Sequence, residues 1–143
     1  MYKSYYPKAS EIERKWYVAD ANGQNLGRFA ANVVRVLLGK HKPTFTPGVE
    51  MGNFVVVINA GLLELTGKRM DTKFYHAHSG YPGGLKTVSL REQLRIHPDR
   101  VIRAAVWGMI PHNKYGRKII KNLKIYAGKE HPHAAQNPKP VAV

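Results

Sequence analysis

The chain has 143 residues, of which 23 are Lys or Arg and 9 are Asp or Glu, so its formal charge is +14. This length predicts one compact domain, because domains usually contain ~100 to 200 residues, and the absence of cysteine excludes disulfides, thiolate metal sites and cysteine nucleophiles. The excess of positive charge predicts a polyanionic partner, either nucleic acid or an anionic membrane.

The N-terminal residues predict an extended polar arm, at about 1–15, rather than a folded element. They contain neither the apolar run of a secretory signal nor the Arg-rich stretch of a transit peptide, so we expect a cytoplasmic location. The longest apolar run, residues 54–58, is far shorter than the ~20 residues that span a bilayer. Because the sequence also lacks an amphipathic helix with bulky exposed apolar residues, we expect no membrane partner.

A strand, a helix and a second strand follow the arm and predict a βαβ unit. Residues 16–20 are aromatic and β-branched, and five apolar residues at helical spacing predict a helix that ends at Gly39. Residues 54–59 are almost continuously apolar, which predicts a strand covered on both faces, as in a parallel sheet between helices. Leu37 of the helix and Val56 of the second strand are therefore predicted to be core residues.

One helix face and two short loop clusters are candidate phosphate contacts. The helix face opposite the predicted core carries Arg28, Asn32 and Arg35 one turn apart. The clusters lie beside glycine or proline, where the backbone can approach a phosphate closely. A solvated loop is the alternative for either cluster taken alone. The clusters are Lys40-His41-Lys42 and Lys68-Arg69.

Residues 73–78 and 85–88 predict two short strands, joined by the glycine-rich loop 80–84. This loop is either a plain tight turn or a loop whose Tyr81 stacks on an unpaired base. The basic flanks of the loop bring the second alternative level with the first. They are His78 and Lys86.

Two helices are predicted next. Ser89 and Glu92 form a capping box that begins the first helix, and Pro98 suits the first position of the second, which Pro111 ends. Five apolar residues form one face of the second helix and are predicted to be buried. They are Val101, Ile102, Ala105, Val106 and Met109.

The densest positive charge lies at residues 112–129, which contain six cations and no carboxylate. A solvated helix would interleave Glu with Lys, so phosphate contact is the favoured interpretation. We predict a short helix at 117–121, a strand at 123–126 and an extended Pro-rich tail at about 131–143. The cations assigned to RNA contact here are Lys114, Arg117, Lys118, Lys121 and Lys124.

Two histidine pairs, His76 with His78 and His131 with His133, could in principle form a metal site. Neither pair has a carboxylate nearby and the second lies in the tail, so histidine contact with phosphate or packing is the simpler explanation and we expect no metal or cofactor. The carboxylates are scattered, and the sequence has no Gly-x-Ser-x-Gly motif or P-loop. Residues 20–27 lack the Gly-x-Gly-x-x-Gly spacing of a dinucleotide site, so no small-molecule substrate is expected.

Short motifs run in a fixed order along almost the whole chain. In the N-terminal half they are Trp16-Tyr17-Val18, Asp20-Ala21, Leu26-Gly27-Arg28, Leu38-Gly39-Lys40-His41-Lys42, Asn59-Ala60 and Thr66-Gly67-Lys68. In the C-terminal half they are Gly108-Met109-Ile110-Pro111, Gly116-Arg117, residues 123–128 and His131-x-His133-Ala134-Ala135-Gln136. This series resembles the bacterial type of the thirteenth protein family of the large ribosomal subunit.

The resemblance implies a three-layer α/β/α single domain over 1–143, with a mostly parallel four-stranded central sheet and no enzymatic activity. It implies binding to large-subunit ribosomal RNA from early in assembly, beside neighbouring large-subunit proteins, in a bacterial or an organellar ribosome. Trp107 stands where many relatives carry a basic residue, so it either stacks on a base or packs against a neighbouring protein. The alternative from another class is a small basic doubly wound hydrolase or nuclease, which would need acidic or histidine residues gathered in a cleft.

Overall fold

The computed structural model describes residues 5–141, which form both helices and strands. In chain order they are β1 (Trp16–Asp20), α1 (Leu26–Leu38), β2 (Phe54–Ile58), α2 (Arg69–Thr72), β3 (Phe74–His78), β4 (Leu85–Ser89), α3 (Leu90–Ile96), α4 (Pro98–Met109), α5 (Lys114–Ile119), β5 (Leu123–Ile125) and β6 (Lys139–Pro140). Single 3₁₀ turns lie at Ala9–Glu11, Ala60–Leu62, Ile120–Asn122 and Ala134–Gln136. No helix in this part of the chain has the length and apolar character needed to cross a bilayer.

Four of the strands form one parallel sheet in the order β5-β2-β1-β6. β2 pairs with β1 over its whole length, so that Trp16 lies opposite Phe54. β2 is an inner strand, paired along both edges, and Val55, Val56 and Val57 point to alternate faces and are all buried, so both of its faces are covered. The structure confirms the α/β class, the parallel four-stranded sheet and the core position of Val56.

α1 packs on one face of the sheet beside α4, and both helices contribute to one hydrophobic cluster. The Asn25 side chain caps α1 by accepting a hydrogen bond from the Gly27 N–H at 3.1 Å. Gly39 ends the helix with a φ of 77°, in the left-handed region that favours glycine. Leu37 is fully buried, as its helical spacing predicts.

The predicted buried face of α4 is wrong at one residue. Its other four members are buried or half-buried, whereas Met109 is 44% exposed. Met109 is the last residue of the helix, and the chain turns there so that Ile110 enters the core instead, at 3% exposure.

The C-terminal segment covers the opposite face of the sheet. Trp16 stacks on Phe54 with ring centroids 4.6 Å apart, and the His133 ring lies 5.1 Å from Trp16. Beyond the 3₁₀ turn, β6 pairs with the free edge of β1. The tail that we predicted to be extended thus supplies the fourth strand, at an edge where Pro140 removes no ladder hydrogen bond.

β3 and β4 form a separate antiparallel hairpin. The next helix, α3, begins as the capping box predicts, because the Ser89 Oγ accepts a hydrogen bond from the Glu92 N–H at 3.3 Å. Pro98 occupies the first turn of α4, as predicted.

The short helix predicted at 117–121 is displaced toward the N-terminus, since α5 begins at Lys114. The cause is a helix cap that we did not predict: the Asn113 side-chain oxygen accepts a hydrogen bond from the Gly116 N–H at 2.8 Å. The following strand, predicted at 123–126, ends one residue earlier, at Ile125.

Candidate nucleic-acid interface

α4, α5 and the 3₁₀ turn that follows α5 carry a group of exposed cations, which we call the basic face. In each helix a cation lies three or four residues from another cation in sequence, and this spacing places the two on one side of that helix. The turn between the helices brings Arg100 and Arg103 of α4 beside Arg117 and Lys121. The basic face consists of Arg100, Arg103, Lys114, Arg117, Lys118 and Lys121, all exposed.

A groove of about 560 Å³ runs between α4 and α5. Cationic side chains from both helices line it together with three apolar residues. The cations are Arg100, Arg103, Arg117 and Lys121, and the apolar residues are Ala104, Trp107 and Ile120.

The charged run at 112–129 predicted the cations on the α5 side of this groove, whereas those on the α4 side were not predicted. Arg100 and Arg103 alternate with core residues in an amphipathic helix, so neither stands out as a charge cluster. Their spacing from Trp107, at i, i+3 and i+7, was the available signal, because residues so spaced share one helix face.

The turn between α4 and α5 is tightly built. His112 stacks on Trp107 with ring centroids 4.7 Å apart and an interplanar angle of 7°, and its Nε2 lies 2.9 Å from the Trp107 carbonyl oxygen. A Cβ atom on Gly116 would collide with the Pro111 carbonyl oxygen. The position of Trp107 relative to α5 is therefore fixed by the turn.

The charges of the basic face are not neutralised within the described residues. Four ion pairs are found among residues 5–141, and none of them includes a cation of the basic face. Two of the four hold arginines of α3: Arg91 pairs with Asp71 at 2.7 Å, and Arg95 with Glu92 at 2.8 Å. The basic face therefore carries unopposed positive charge that an anionic partner would relieve.

A second cationic patch lies along α1. Arg28 and Arg35 are exposed, as the predicted basic helix face requires, and Lys40 in the loop after α1 is exposed as well. Arg35 and His41 line a groove of about 300 Å³ together with Tyr17 and Pro140. This groove forms where the C-terminal strand β6 passes beside the end of α1.

The His41 ring lines a surface groove and also contacts a buried side-chain amide. Its Nε2 lies 3.2 Å from the Asn53 Nδ2, which fits an unprotonated Nε2 accepting a hydrogen bond. Asn53 is fully buried, and its side-chain oxygen accepts from the Lys15 N–H at 3.1 Å. Burial lowers the pKa of His41, against an opposing hydrogen bond to the Arg35 backbone, and so favours the neutral ring.

The Lys42 ammonium group is directed at the protein backbone. Its Nζ donates hydrogen bonds to the carbonyl oxygens of Glu13 at 2.7 Å and Met51 at 2.8 Å. Burial lowers the pKa of Lys42. The sequence pattern does not predict this structural role, and the assignment of Lys42 to RNA contact stays a prediction.

The remaining candidates lie on and near the hairpin, where all are exposed, except Lys124, which lies in β5 of the central sheet. Loop 80–84 is closed by a hydrogen bond from the Gly84 N–H to the Tyr81 carbonyl oxygen at 2.9 Å, yet the Tyr81 side chain is 75% exposed. The loop is thus a tight turn that also presents a tyrosine. Exposed candidates are Lys68, Arg69, His76, His78, Tyr81 and Lys86, and Lys124 in β5 is half-buried.

The histidine pairs stay within their own segments. His76 lies 3.0 Å from the Thr87 hydroxyl across the hairpin, whereas His133 lies 2.8 Å from the Tyr126 hydroxyl in the C-terminal segment. Within residues 5–141 no group of three or more His, Asp or Glu side chains is arranged to hold a metal ion.

Similar proteins carry ribosomal names. The model of the family described as Ribosomal protein L13 matches residues 14–132. "Large ribosomal subunit protein uL13" of Chlorobium phaeobacteroides strain BS1 is 55% identical over 96% of this chain and 91% of its own length. The protein of that name from Symbiobacterium thermophilum is 50% identical over 100% of both chains, and the one from Thermotoga maritima is 54% identical over 94% of this chain and 90% of its own.

Proposed function

Because the chain belongs to the ribosomal protein L13 family, and so is a structural constituent of the large ribosomal subunit, we propose that its basic face binds the ribosomal RNA of that subunit. Family membership confirms the resemblance found in the sequence, and the alternative of a hydrolase or nuclease is not supported. The relatives are bacterial proteins, which places the chain in the cytoplasmic ribosome.

The unopposed charge of the basic face is the observation that carries this proposal. Six exposed cations lie on α4, α5 and the 3₁₀ turn after α5, four of them around one groove, and none has an ion-pair partner among the described residues. Each phosphate that such a cation neutralises releases condensed counterions, which favours binding. The arginines add planar groups that can donate two parallel hydrogen bonds to one phosphate.

The other cations extend the same proposal to separate parts of the RNA. The α1 patch and the hairpin belong to different elements from the basic face, so each would meet its own segment of RNA. Cations placed between such segments lower the repulsion between their phosphates. The chain would thus hold RNA segments together during assembly, beside the neighbouring large-subunit proteins that the family implies.

Two matched double variants test the proposal. Arg117→Gln with Lys121→Gln removes two charges from the basic face, whereas Arg91→Gln with Arg95→Gln removes two charges that already have carboxylate partners. We expect the first pair to lower affinity for large-subunit RNA by about tenfold or more, because charge-assisted contacts are lost. We expect the second pair to bind almost like the parent.

The measurement is filter binding to large-subunit RNA, together with co-sedimentation of tagged protein with large subunits. Circular dichroism establishes that both variants are folded. Equal affinity of the two double variants would contradict the proposal, because the loss would then follow net charge rather than the basic face.

A further inference from the structure

We propose that the groove between α4 and α5 binds the base of an unpaired nucleotide, with Trp107 as the stacking surface and the groove's cations on the flanking phosphates. This inference rests on the proposed RNA contact of the basic face. It adds that the RNA segment bound there is single-stranded.

Trp107 is held in place without any ligand. Its ring stacks on His112 at 4.7 Å, and His112 is itself fixed by the hydrogen bond from its Nε2 to the Trp107 carbonyl oxygen at 2.9 Å. The tight approach of Gly116 to Pro111 fixes α5 against the same turn. A base that stacks on an aromatic ring already ordered in this way binds at a smaller entropic cost.

The lining of the groove combines the two features that an unpaired nucleotide offers. Ala104, Trp107 and Ile120 provide an apolar surface for the flat face of a base, and four cations stand around it for phosphates. Duplex RNA also presents phosphates, but its base faces are stacked inside the helix and cannot contact the apolar surface.

An apolar protein segment fits this groove less well than a nucleotide. Covering the groove with such a segment would remove water from Arg100, Arg103, Arg117 and Lys121 without supplying anions, and burying unpaired charge is costly. A nucleotide covers the apolar surface and brings the opposite charge with it. Charge complementarity therefore favours RNA over a neighbouring protein as the occupant.

The test compares a short single-stranded RNA oligonucleotide with a duplex of equal phosphate number. Trp107→Leu keeps an apolar side chain but removes the stacking surface, and we expect it to weaken single-strand binding about five- to a hundredfold. The slope of affinity against salt should not change, since no phosphate contact is lost. Trp107→Phe, the matched control, keeps an aromatic ring and should retain most of the affinity.

Fluorescence gives a second readout that needs no substitution at Trp107. The chain has two tryptophans, and Trp16→Phe leaves Trp107 as the emitter while keeping an aromatic ring on Phe54. We expect the single strand to quench this emission and the duplex to leave it almost unchanged.

The outcomes separate a failure of this inference from a failure of the basic-face proposal. If Trp107→Leu binds the single strand like the parent, and the Trp107 emission does not respond, the inference is wrong while the basic-face proposal stands. If Trp107→Leu alters only co-sedimentation with subunits, the occupant is a neighbouring protein and the inference is overturned. If the parent binds neither RNA in a salt-dependent way, the basic-face proposal itself is wrong.

Discussion

At the scale of single residues, the buried amide of Asn53 connects three parts of the chain. It accepts a hydrogen bond from the arm at Lys15 and contacts His41 in the loop after α1. A protonated His41 could not accept a hydrogen bond from the Asn53 Nδ2. The charge state of one imidazole is therefore coupled to the packing of the arm.

Stability should fall between about pH 7.5 and pH 5.5. The folded-state pKa values of His41 and His133 are lowered, chiefly by burial, from the unfolded value of about 6.5. In this range the unfolded chain binds more protons, so the stabilisation present above pH 6.5 is lost as pH falls through the folded pKa values. Urea unfolding at the two pH values measures the change.

A His41→Gln variant should show a smaller loss over the same range. Its side-chain oxygen can still accept a hydrogen bond from Asn53, but it does not titrate. The lowered pKa values of Asp20 and Glu92 affect stability only at lower pH. A parent protein equally stable at both pH values would contradict this prediction.

Lys42 provides a second prediction at this scale. Lys42→Gln should lower the free energy of unfolding by about 1 to 3 kcal/mol, because charge-assisted hydrogen bonds to the Glu13 and Met51 carbonyl oxygens are lost. Lys40→Gln removes the same charge from an exposed neighbour and should change stability by no more than ~0.5 kcal/mol. Chemical denaturation that finds the two variants alike would make the structural role of Lys42 wrong.

At the scale of elements, β2 is the strand on which the sheet depends. Val56→Asp should prevent folding, because an unpaired carboxylate would be buried on an inner strand. Val56→Ala should fold with a loss of about 2 kcal/mol, from the removed methyl groups and the cavity that they leave. The test is thermal unfolding of both variants, and a soluble Val56→Asp protein that melts cooperatively would contradict the account.

The junction of α4 and α5 also depends on close packing. Gly116→Ala should destabilise the protein by about 3 kcal/mol or more, because the added Cβ meets the Pro111 carbonyl oxygen and the backbone must shift. Gly108→Ala, in α4, adds a Cβ that meets nothing within 4 Å beyond the local backbone of its own helix, and it should stabilise by about 0.5 to 1 kcal/mol. Melting temperatures that move in the same direction for both variants would count against this packing.

The elements that can be predicted from the sequence are those whose determinants lie within a few residues of one another. The βαβ unit was predictable, because helical spacing, the glycine stop and a continuously apolar strand each act within a few residues. β6 was not, since its two residues form a strand only because β1, distant in sequence, offers a free edge. Met109 was placed wrongly because its exposure depends on where the chain turns at Ile110.

The same distinction holds for the candidate site. The α5 cations were predictable as a charged run, but their meeting with Arg100 and Arg103 depends on the turn between the helices. That turn is set by contacts of His112 and Gly116 that no periodicity reports. The structural role of Lys42 was not predictable either. Its hydrogen-bond acceptors are backbone carbonyl oxygens, which leave no pattern of side chains in the sequence.

At the scale of the whole molecule, positive charge is distributed around one continuous hydrophobic cluster. We propose that residues 1–143 fold as one domain, whose rigid helices and hairpin hold separate cationic patches at fixed positions. A net charge of +14 opposes compaction. Binding to RNA would offset that repulsion, so the ribosome is also where this chain should be most stable.

The most direct test of the account is the salt dependence of binding to large-subunit RNA, for the parent and for a variant in which Lys114, Arg117, Lys118 and Lys121 are all Gln. We expect a steep slope of log affinity against log salt for the parent. The variant should remain folded and show a slope smaller by about three, because roughly 0.7 to 0.9 is lost for each phosphate no longer neutralised. Identical slopes, or a parent slope near zero, would contradict the claim that the basic face binds RNA.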